Sequence, residues 1–283
     1  MNLLFVGATG TVGRQLVPYL CQRHRLTLAA KGGGEVHGTP VRDVDVTDWE
    51  SARALVAGGD REGRPFDAVI NGVIAPYRGI DMDDPEARRR YFEQCLEINI
   101  RVAYYLFEAA MRAATPRFIY LSSLSTITGA PRLERIGPGT PDQPYDIYAA
   151  SKLFGEAAGR SYACRFPEQG ETMTVICLRL GQPYRSFIPW DEQWIHDPSK
   201  RRLPVHVEDI AHGVECALEV AIPFGVYPIV SGSDQNFIDP ALYAELGYRP
   251  RWRFTGDGLT RLESVPCTVS PNGHASLHAM KTG

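Results

Sequence analysis

The chain has no long apolar run, no recognisable signal segment and no surplus of basic residues. Its 283 residues carry a formal net charge of −3, so no basic surplus indicates binding to nucleic acid or to an anionic membrane. No apolar stretch approaches the roughly 20 residues that cross a bilayer. The first strand-like segment, "NLLFVG", starts at Asn2, which leaves no room for a signal peptide. We therefore predict a cytoplasmic protein without membrane or nucleic-acid partners.

The cysteines are too far apart for a metal or redox motif. They stand at positions 21, 95, 164, 177, 216 and 267, with no CxxC and no close cluster. Several fall in apolar helical or strand-like segments, so we expect small buried thiols in a reducing compartment. No metal site is predicted.

What the sequence does have is a regular alternation of short apolar runs with amphipathic stretches. Segments of helical length separate the strand-like runs "NLLFVG", "RLTLAA", "FDAVINGV", "RFIYLSS" and "TVICLRLG". This alternation predicts an α/β fold with a parallel sheet covered by helices on both faces. The first unit, up to about residue 30, has the β-α-β order that opens a doubly wound sheet of the Rossmann type.

The alternation changes after Gly181. Residues 182–204 are rich in proline, tryptophan and charge, and the segments that follow are too short for an independent domain. We predict a nucleotide-binding domain over residues 1–181 and a small C-terminal substrate-binding cap over 182–265, interleaved with the last strand of the sheet. Residues 266–283 lack a pattern and are expected to form a partly disordered tail.

The segment "GATGTVG" places Gly7, Gly10 and Gly13 between the first strand and its helix. Glycines permit a tight turn and let backbone N–H groups approach a pyrophosphate, while the helix N-terminus supplies positive potential. A tight turn without a ligand would use the same residues. The strand before the motif and the helix after it favour a dinucleotide site.

The segment "YDIYAASK" places a tyrosine four residues before a lysine. On a helix, Tyr148 and Lys152 share a face, and an ammonium near a phenol lowers the pKa of the phenol. That pairing makes an acid/base catalyst from a tyrosine. Tyr145 lacks such a partner at this spacing. An ordinary amphipathic helix has the same pattern, so the motif alone does not decide.

Together these motifs resemble the extended branch of the short-chain dehydrogenase/reductase superfamily, the NAD-dependent epimerase/dehydratase family. The GxxGxxG spacing recurs there, and family-like segments follow in order: "DVDVTD", "VINGVIA", "EINIRVAYYLFEAA", "FIYLSS", "CLRLGQPY", "LPVHVEDIAHG" and "AELGYRPRW". The resemblance implies an NAD(P)-dependent oxidoreductase that transfers hydride to or from one carbon of a sugar-like, polyhydroxylated substrate. It also implies a homodimer formed through the helices that flank the fourth and fifth strands.

The resemblance further implies the site residues. Tyr148 acts as acid/base on the substrate oxygen, Ser123 hydrogen-bonds that oxygen, Lys152 lowers the pKa of Tyr148 and holds the nicotinamide ribose, and Asn99 supports the site. The implied cofactor contacts are Gly7, Thr9, Gly10, Thr11, Val12, Gly13, Lys31, Asp45, Val46, Asn71, Gly72, Val73, Asn99, Leu121, Tyr148 and Lys152. The predicted substrate contacts are Ser123, Ser125, Tyr148, Arg185 and Arg201, where Ser125 is the alternative to Ser123 and arginines suit an anionic group.

The end of the second strand bears on the choice of cofactor. NAD-binding family members often have an acidic residue there, whereas this chain has Ala30 followed by Lys31. The missing carboxylate removes repulsion against a 2′-phosphate, which a lysine would attract. A solvated turn lysine is an equally good interpretation. The sequence therefore favours NADP only slightly over NAD.

Departures from the family pattern reduce the number of reactions that the chain could catalyse. Family dehydratases have an Asp-Glu pair after the catalytic hydroxyl residue, where this chain has Leu124 and Ser125. Simple hydride transfer, or epimerisation through a ketone, remains. A nucleotide-sugar 4-epimerase is the first alternative, although the region after Gly181 is short for a nucleotide-binding cap. A non-catalytic NAD(P)-sensing regulator is the second, and the retained serine, tyrosine and lysine argue against it.

Overall fold

The computed structural model describes residues 1–77, 80–129, 135–137, 140–164, 172–184, 203–233, 238–255 and 258–262. The strands are β1 (Asn2–Val6), β2 (Arg25–Ala30), β3 (Gly34–Val36), β4 (Thr39–Asp43), β5 (Ala68–Asn71), β6 (Arg117–Ser123), β7 (Thr174–Leu180), β8 (Gln182–Pro183), β9 (Pro204–Val205), β10 (Phe224–Ile229), β11 (Gly232–Ser233), β12 (Trp252–Thr255) and β13 (Gly258–Arg261). The helices are α1 (Thr11–Leu20), α2 (Trp49–Ala57), α3 (Pro85–Gln94), α4 (Arg101–Arg112), α5 (Ile147–Ala163), α6 (Val207–Glu219) and α7 (Ala241–Ala244).

Eight of these strands form one sheet in the order β10-β7-β6-β5-β1-β2-β4-β3. All neighbours are parallel except β3, which runs antiparallel to β4. The chain builds outward from β1 in one direction and then returns to build outward in the other. The order therefore reverses between β1 and β5, where doubly wound sheets bind ligands. The predicted α/β fold with a doubly wound parallel sheet is confirmed.

Two hydrophobic cores cover the faces of this sheet. On one face α1 and α6 pack through side chains such as Leu16 and Val214. On the other face α2, α4 and α5 pack through side chains such as Leu55, Phe107 and Tyr162. Since both faces are covered, a central strand such as β1 is buried along its whole length, which explains its uninterrupted apolar sequence. In the described part of the chain, no helix is long and apolar enough to cross a membrane.

Two elements are not evident from the local sequence pattern. The segment "KGGGEVHG" has the composition of a turn, but it contains β3, a short edge strand. The amphipathic stretch that contains "EINIRVAYYLFEAA" is helical from Pro85 and includes a π-helical segment over Cys95–Ile100 before it continues as α4.

After Gly181 the described chain forms two small sheets beside the main one. β8 pairs with β9, and β11, β12 and β13 form a three-stranded sheet, while β10 returns to the edge of the main sheet beside β7. A cap interleaved with the last strand of the main sheet stays a prediction, as do its bounds. The predicted tail over 266–283 lies outside the described residues.

The cysteines of the described residues fall into two groups. Cys21 and Cys164 are exposed, Cys95 and Cys177 are buried, and all four are free thiols. Cys216, in α6, is disulfide-bonded. The expectation of reduced thiols is therefore wrong for Cys216.

Candidate active site

The predicted site residues gather at the carboxyl ends of the parallel strands. Gly7 follows β1, Asn71 ends β5 and Ser123 ends β6, while Tyr148 and Lys152 lie in the first turns of α5. This edge is where an open α/β sheet binds its ligands.

The turn after β1 depends on close backbone approach. Gly7 has a φ angle of +87°, and a Cβ atom there would lie 2.8 Å from the main-chain carbonyl carbon of Gly72. A side chain at Gly7 would strain the backbone and push away the loop that follows β5. The glycine therefore keeps the two loops on either side of the β1/β5 switch point in contact.

The N-terminus of α1 is suited to an anion. Its N-cap residue, Gly10, supplies no side-chain cap, whereas α2, α3 and α5 are capped by Asp48, Asp84 and Asp146. The first-turn N–H groups, at the positive end of the helix dipole, keep their capacity to bind phosphate oxygens. The pyrophosphate of a dinucleotide fits here. The other residues predicted for this contact are Thr9, Thr11, Val12 and Gly13, which belong to the same turn and helix start.

Lys31 and Asp45 form an ion pair just past the end of β2. The Lys31 Nζ atom lies 2.7 Å from Asp45 Oδ2, and Asp45 Oδ1 accepts hydrogen bonds from the Thr47 N–H (3.0 Å) and hydroxyl (2.6 Å). The hydrogen bonds from Lys31 and then Thr47 lower the pKa of Asp45 to about 2. Because Lys31 already has a carboxylate partner, a 2′-phosphate would have to compete with Asp45 for it. The neighbouring Val46 is buried.

Two side-chain amides hold the loop that follows β5. Asn71 Oδ1 accepts a hydrogen bond from the Val73 N–H (3.0 Å), and Asn99 Oδ1 accepts one from the Ala75 N–H (2.7 Å). The loop that runs beside the predicted cofactor is thus fixed by residues from two different elements.

Asn99 also reaches α5, the helix that carries Tyr148 and Lys152. It is buried in the π-helical segment, and its Nδ2 donates to the Ser151 hydroxyl (2.8 Å), which donates to the Tyr148 carbonyl oxygen (2.7 Å). A π turn inserts an extra residue and so redirects the side chains around it, and such turns are frequent at functional sites. Sequence reasoning missed Ser151, whose place directly before Lys152 in "YAASK" was the available signal.

Ser123 and Tyr148 meet through their side chains. The Ser123 hydroxyl oxygen accepts hydrogen bonds from the Ser125 N–H (3.2 Å) and hydroxyl (2.9 Å), and it is hydrogen-bonded to the Tyr148 side chain. Of the two candidate serines, this geometry favours Ser123 beside Tyr148, with Ser125 behind it. Burial raises the pKa of Tyr148, against the lowering effect of Ser123. The structure therefore differs from the expectation that the pKa of this tyrosine is lowered.

The Lys152 ammonium makes its contacts with main-chain oxygens. Its side chain is almost fully buried, and its Nζ donates to the main-chain carbonyls of Leu121 (3.0 Å) and, at longer range, Val73 (3.4 Å). The ammonium also lies 5.0 Å from the centre of the Tyr120 ring. Burial lowers the pKa of Lys152 to about 7, with Glu156 acting in the opposite direction. The helical spacing is as predicted, but the ammonium is held by the loop after β5 and the end of β6.

Two predicted substrate contacts, Arg185 and Arg201, lie outside the described residues. Tyr145 is 63% exposed, in keeping with its exclusion as the catalyst. The roles of the remaining residues stay predictions, although the structure links Asn99 to Tyr148 through Ser151 and Ser123 to the Tyr148 side chain.

A doubly wound sheet with a glycine turn at its switch point and a serine, tyrosine and lysine at its carboxyl edge defines the short-chain dehydrogenase/reductase class. Residues 3–227 match the model of the NAD dependent epimerase/dehydratase family. This chain belongs to that family, as its motifs predict.

Individual relatives agree with this assignment. The chain is 32% identical over 194 residues to a uronate dehydrogenase of Agrobacterium fabrum, a stretch that covers 67% of this chain and 66% of the relative, just under two thirds. It is 25% identical over 265 residues to an L-arabinose 1-dehydrogenase (NAD(P)(+)) of Haloferax volcanii, covering 88% of this chain and 96% of the relative. A crystal structure of uronate dehydrogenase from Agrobacterium tumefaciens, a tyrosine-to-alanine mutant complexed with NAD, matches with a TM-score of 0.69 at 26% identity, covering 90% of this chain and 85% of that one.

Within the family, "YAASKLFGE" and "LRLGQPY" resemble the corresponding segments of uronate dehydrogenases, in keeping with these relatives. The matches support an NAD(P)-dependent oxidoreductase or epimerase.

Proposed function

We propose that the chain is an NAD(P)-dependent dehydrogenase that acts on one carbon of a sugar or sugar acid. The observation that carries the proposal is the hydrogen-bonded pair of Ser123 and Tyr148 hydroxyls at the carboxyl edge of the sheet. Support comes from the uncapped N-terminus of α1 at the same edge and from relatives named uronate and L-arabinose dehydrogenases.

Each residue has a distinct task in this proposal. Tyr148 moves a proton at the substrate oxygen, and Ser123 orients that oxygen by a second hydrogen bond. The nicotinamide, when bound, supplies the hydride acceptor or donor. Lys152 holds the ribose hydroxyls. Since burial raises the pKa of Tyr148, the phenol is protonated at neutral pH. Tyr148 can act as a base in oxidation only if the positive charge of Lys152 stabilises the phenolate and the phenol proton passes to solvent.

The cofactor preference rests on the Lys31–Asp45 pair. We propose that both NAD and NADP bind, and that Lys31 contributes to NADP by leaving Asp45 for the 2′-phosphate. Fluorescence titration with NADPH and NADH tests this. Lys31→Ala is expected to weaken NADPH binding about tenfold or less, as befits an exposed ion pair, and to leave NADH unchanged. Equal effects on both cofactors would contradict a role at the 2′-phosphate.

An activity screen tests the function. We expect the protein to form NADH or NADPH from at least one member of a panel of free uronic acids, L-arabinose and other aldoses. Interconversion of UDP-sugars without net reduction of the cofactor would identify the epimerase instead. Tight cofactor binding without turnover of either panel would favour the regulator.

We also propose a homodimer and a cytoplasmic location. The π-helical segment, α4 and α5 pack together, and each carries an exposed apolar side chain: Leu96 (40% exposed), Tyr104 (48%) and Phe154 (38%). Exposed apolar groups concentrated on neighbouring helices support an interaction surface.

A further inference from the structure

The Arg179 side chain connects three parts of the candidate site. It projects from β7 and is only 12% exposed. Its Nε donates to Glu156 Oε1 (2.9 Å) and its Nη2 to Glu156 Oε2 (2.6 Å), which makes a bidentate pair. The same Nη2 donates to Asp142 Oδ1 (2.6 Å). One guanidinium thus bridges two carboxylates that belong to different elements and pairs one of them bidentately, a fork geometry that the single ammonium of lysine does not reproduce.

The first carboxylate belongs to the catalytic helix. Glu156 follows Lys152 by one turn of α5, and its side chain is 6% exposed. Its Oε1 also accepts a hydrogen bond from the Ser122 hydroxyl (2.5 Å), and Ser122 directly precedes Ser123 at the end of β6. Glu156 therefore ties α5 to the strand that carries the catalytic serine.

The second carboxylate belongs to the segment that leads into α5. Asp142 lies six residues before Tyr148 and is 54% exposed. The next residue, Gln143, makes main-chain hydrogen bonds with Thr126 and Gly129 (both 2.8 Å), in the loop that follows Ser123. The contact between Arg179 and Asp142 therefore restrains both the loop after Ser123 and the start of α5.

We propose that Arg179 is a positioning residue that holds α5, the end of β6 and the 140–146 segment in the one arrangement in which the Ser123 and Tyr148 hydroxyls meet. The inference rests on the proposed function and adds three residues to its machinery: Arg179 itself, Glu156 and Asp142. None of the three touches the reacting atoms. Their effect is on the distance between the two groups that do, and small displacements of such groups cost large factors in rate.

The test uses Asp142→Asn, Asp142→Glu and Arg179→Lys in the full chain. Asp142→Asn breaks the exposed end of the bridge without leaving a buried charge unpaired. We expect Asp142→Asn and Arg179→Lys to lower kcat about tenfold, with KM and the Kd of NADH within about twofold of wild type, and Asp142→Glu to retain most of the turnover. The matched control is Glu108→Gln, which removes a carboxylate bound to Arg112 and to Tyr162 at the far end of α5; its kcat should stay at the wild-type value.

Hydrogen exchange supplies a readout that needs no substrate. We expect the amides of residues 140–149 to exchange faster in Asp142→Asn and Arg179→Lys than in wild type or Glu108→Gln. Unchanged kcat together with unchanged exchange in Asp142→Asn would overturn the proposal, and so would a loss of activity in Asp142→Glu equal to that in Asp142→Asn. If Arg179→Lys fails to fold, the two Asp142 variants decide. A wild-type protein without turnover on any sugar would refute the proposed function, while faster exchange in the variants would still support the bridge.

Discussion

At the residue scale, the proposed chemistry depends on Tyr148 and not on its neighbour Tyr145. Tyr148→Phe removes the hydroxyl and leaves the ring, so we expect turnover to fall by about 10²-fold or more, while the Kd of NADH stays within about twofold. The matched control is Tyr145→Phe, because Tyr145 is exposed and stands three residues earlier. Steady-state kinetics on the best sugar of the panel and NADH titration give the answer. Equal turnover in the two variants would remove Tyr148 from the mechanism.

The buried lysine makes a second prediction, on stability. Burial lowers the pKa of Lys152 to about 7 from a value near 10.5, so between these values the unfolded chain binds the extra proton. Its burial therefore destabilises the fold most at and below pH 7, by an amount on the order of a few kcal/mol, and the cost fades as the pH approaches 10. We expect Lys152→Met to raise the Tm at pH 6, and to raise it less or not at all at pH 10.

Thermal unfolding of the cofactor-free protein at the two pH values measures this effect. Lys31→Met is the control, since Lys31 is exposed and pays no burial cost. A gain in Tm that is the same at both pH values would show that Lys152 is not held at a lowered pKa. Loss of turnover in the same variant would show that Lys152 is needed for activity although it lowers the stability of the fold.

At the scale of elements, the link between the π-helical segment and α5 can be broken at one atom. Ser151→Ala leaves the Asn99 amide buried without its acceptor, which costs roughly 1–3 kcal/mol, and frees the first turn of α5. We expect a lower Tm and a kcat reduced about tenfold. Ser161→Ala, on the exposed part of the same helix, should change neither quantity. A normal kcat in Ser151→Ala would show that the link through Ser151 stabilises the fold but does not affect turnover.

The same scale shows what could be predicted from the sequence. The bounds of β6 and the existence of α5 follow from local pattern, since an apolar run of strand length and a helical period are visible in single segments. The edge strand β3 was not predicted because "KGGGEVHG" has the composition of a turn. The π-helical segment was not predicted either, since one extra residue in a long amphipathic helix barely disturbs the period. Glu156 and Arg179 owe their roles to contacts between elements distant in sequence, so no local pattern marks them. Ser151 was marked only by its place directly before Lys152.

At the scale of the whole molecule, the exposed apolar side chains on the helices predict self-association. We expect sedimentation at the mass of a dimer for the wild type and at that of a monomer for Leu96→Glu combined with Phe154→Glu. Met82→Glu, which changes an equally exposed side chain in the loop before α3, is the control and should remain dimeric. A dimer that survives the double change would place the interface elsewhere.

The anchoring of Lys152 has a consequence for how such a chain can vary over time. The ammonium is held by two main-chain carbonyls, of Leu121 and Val73, and every amino acid supplies that same oxygen. The contact with Lys152 requires only that the backbone at positions 73 and 121 keeps its path; it does not require a particular residue at either position. Substitutions at these positions can accumulate while the lysine stays in place, whereas a single inserted or deleted residue in either segment would move the oxygen away.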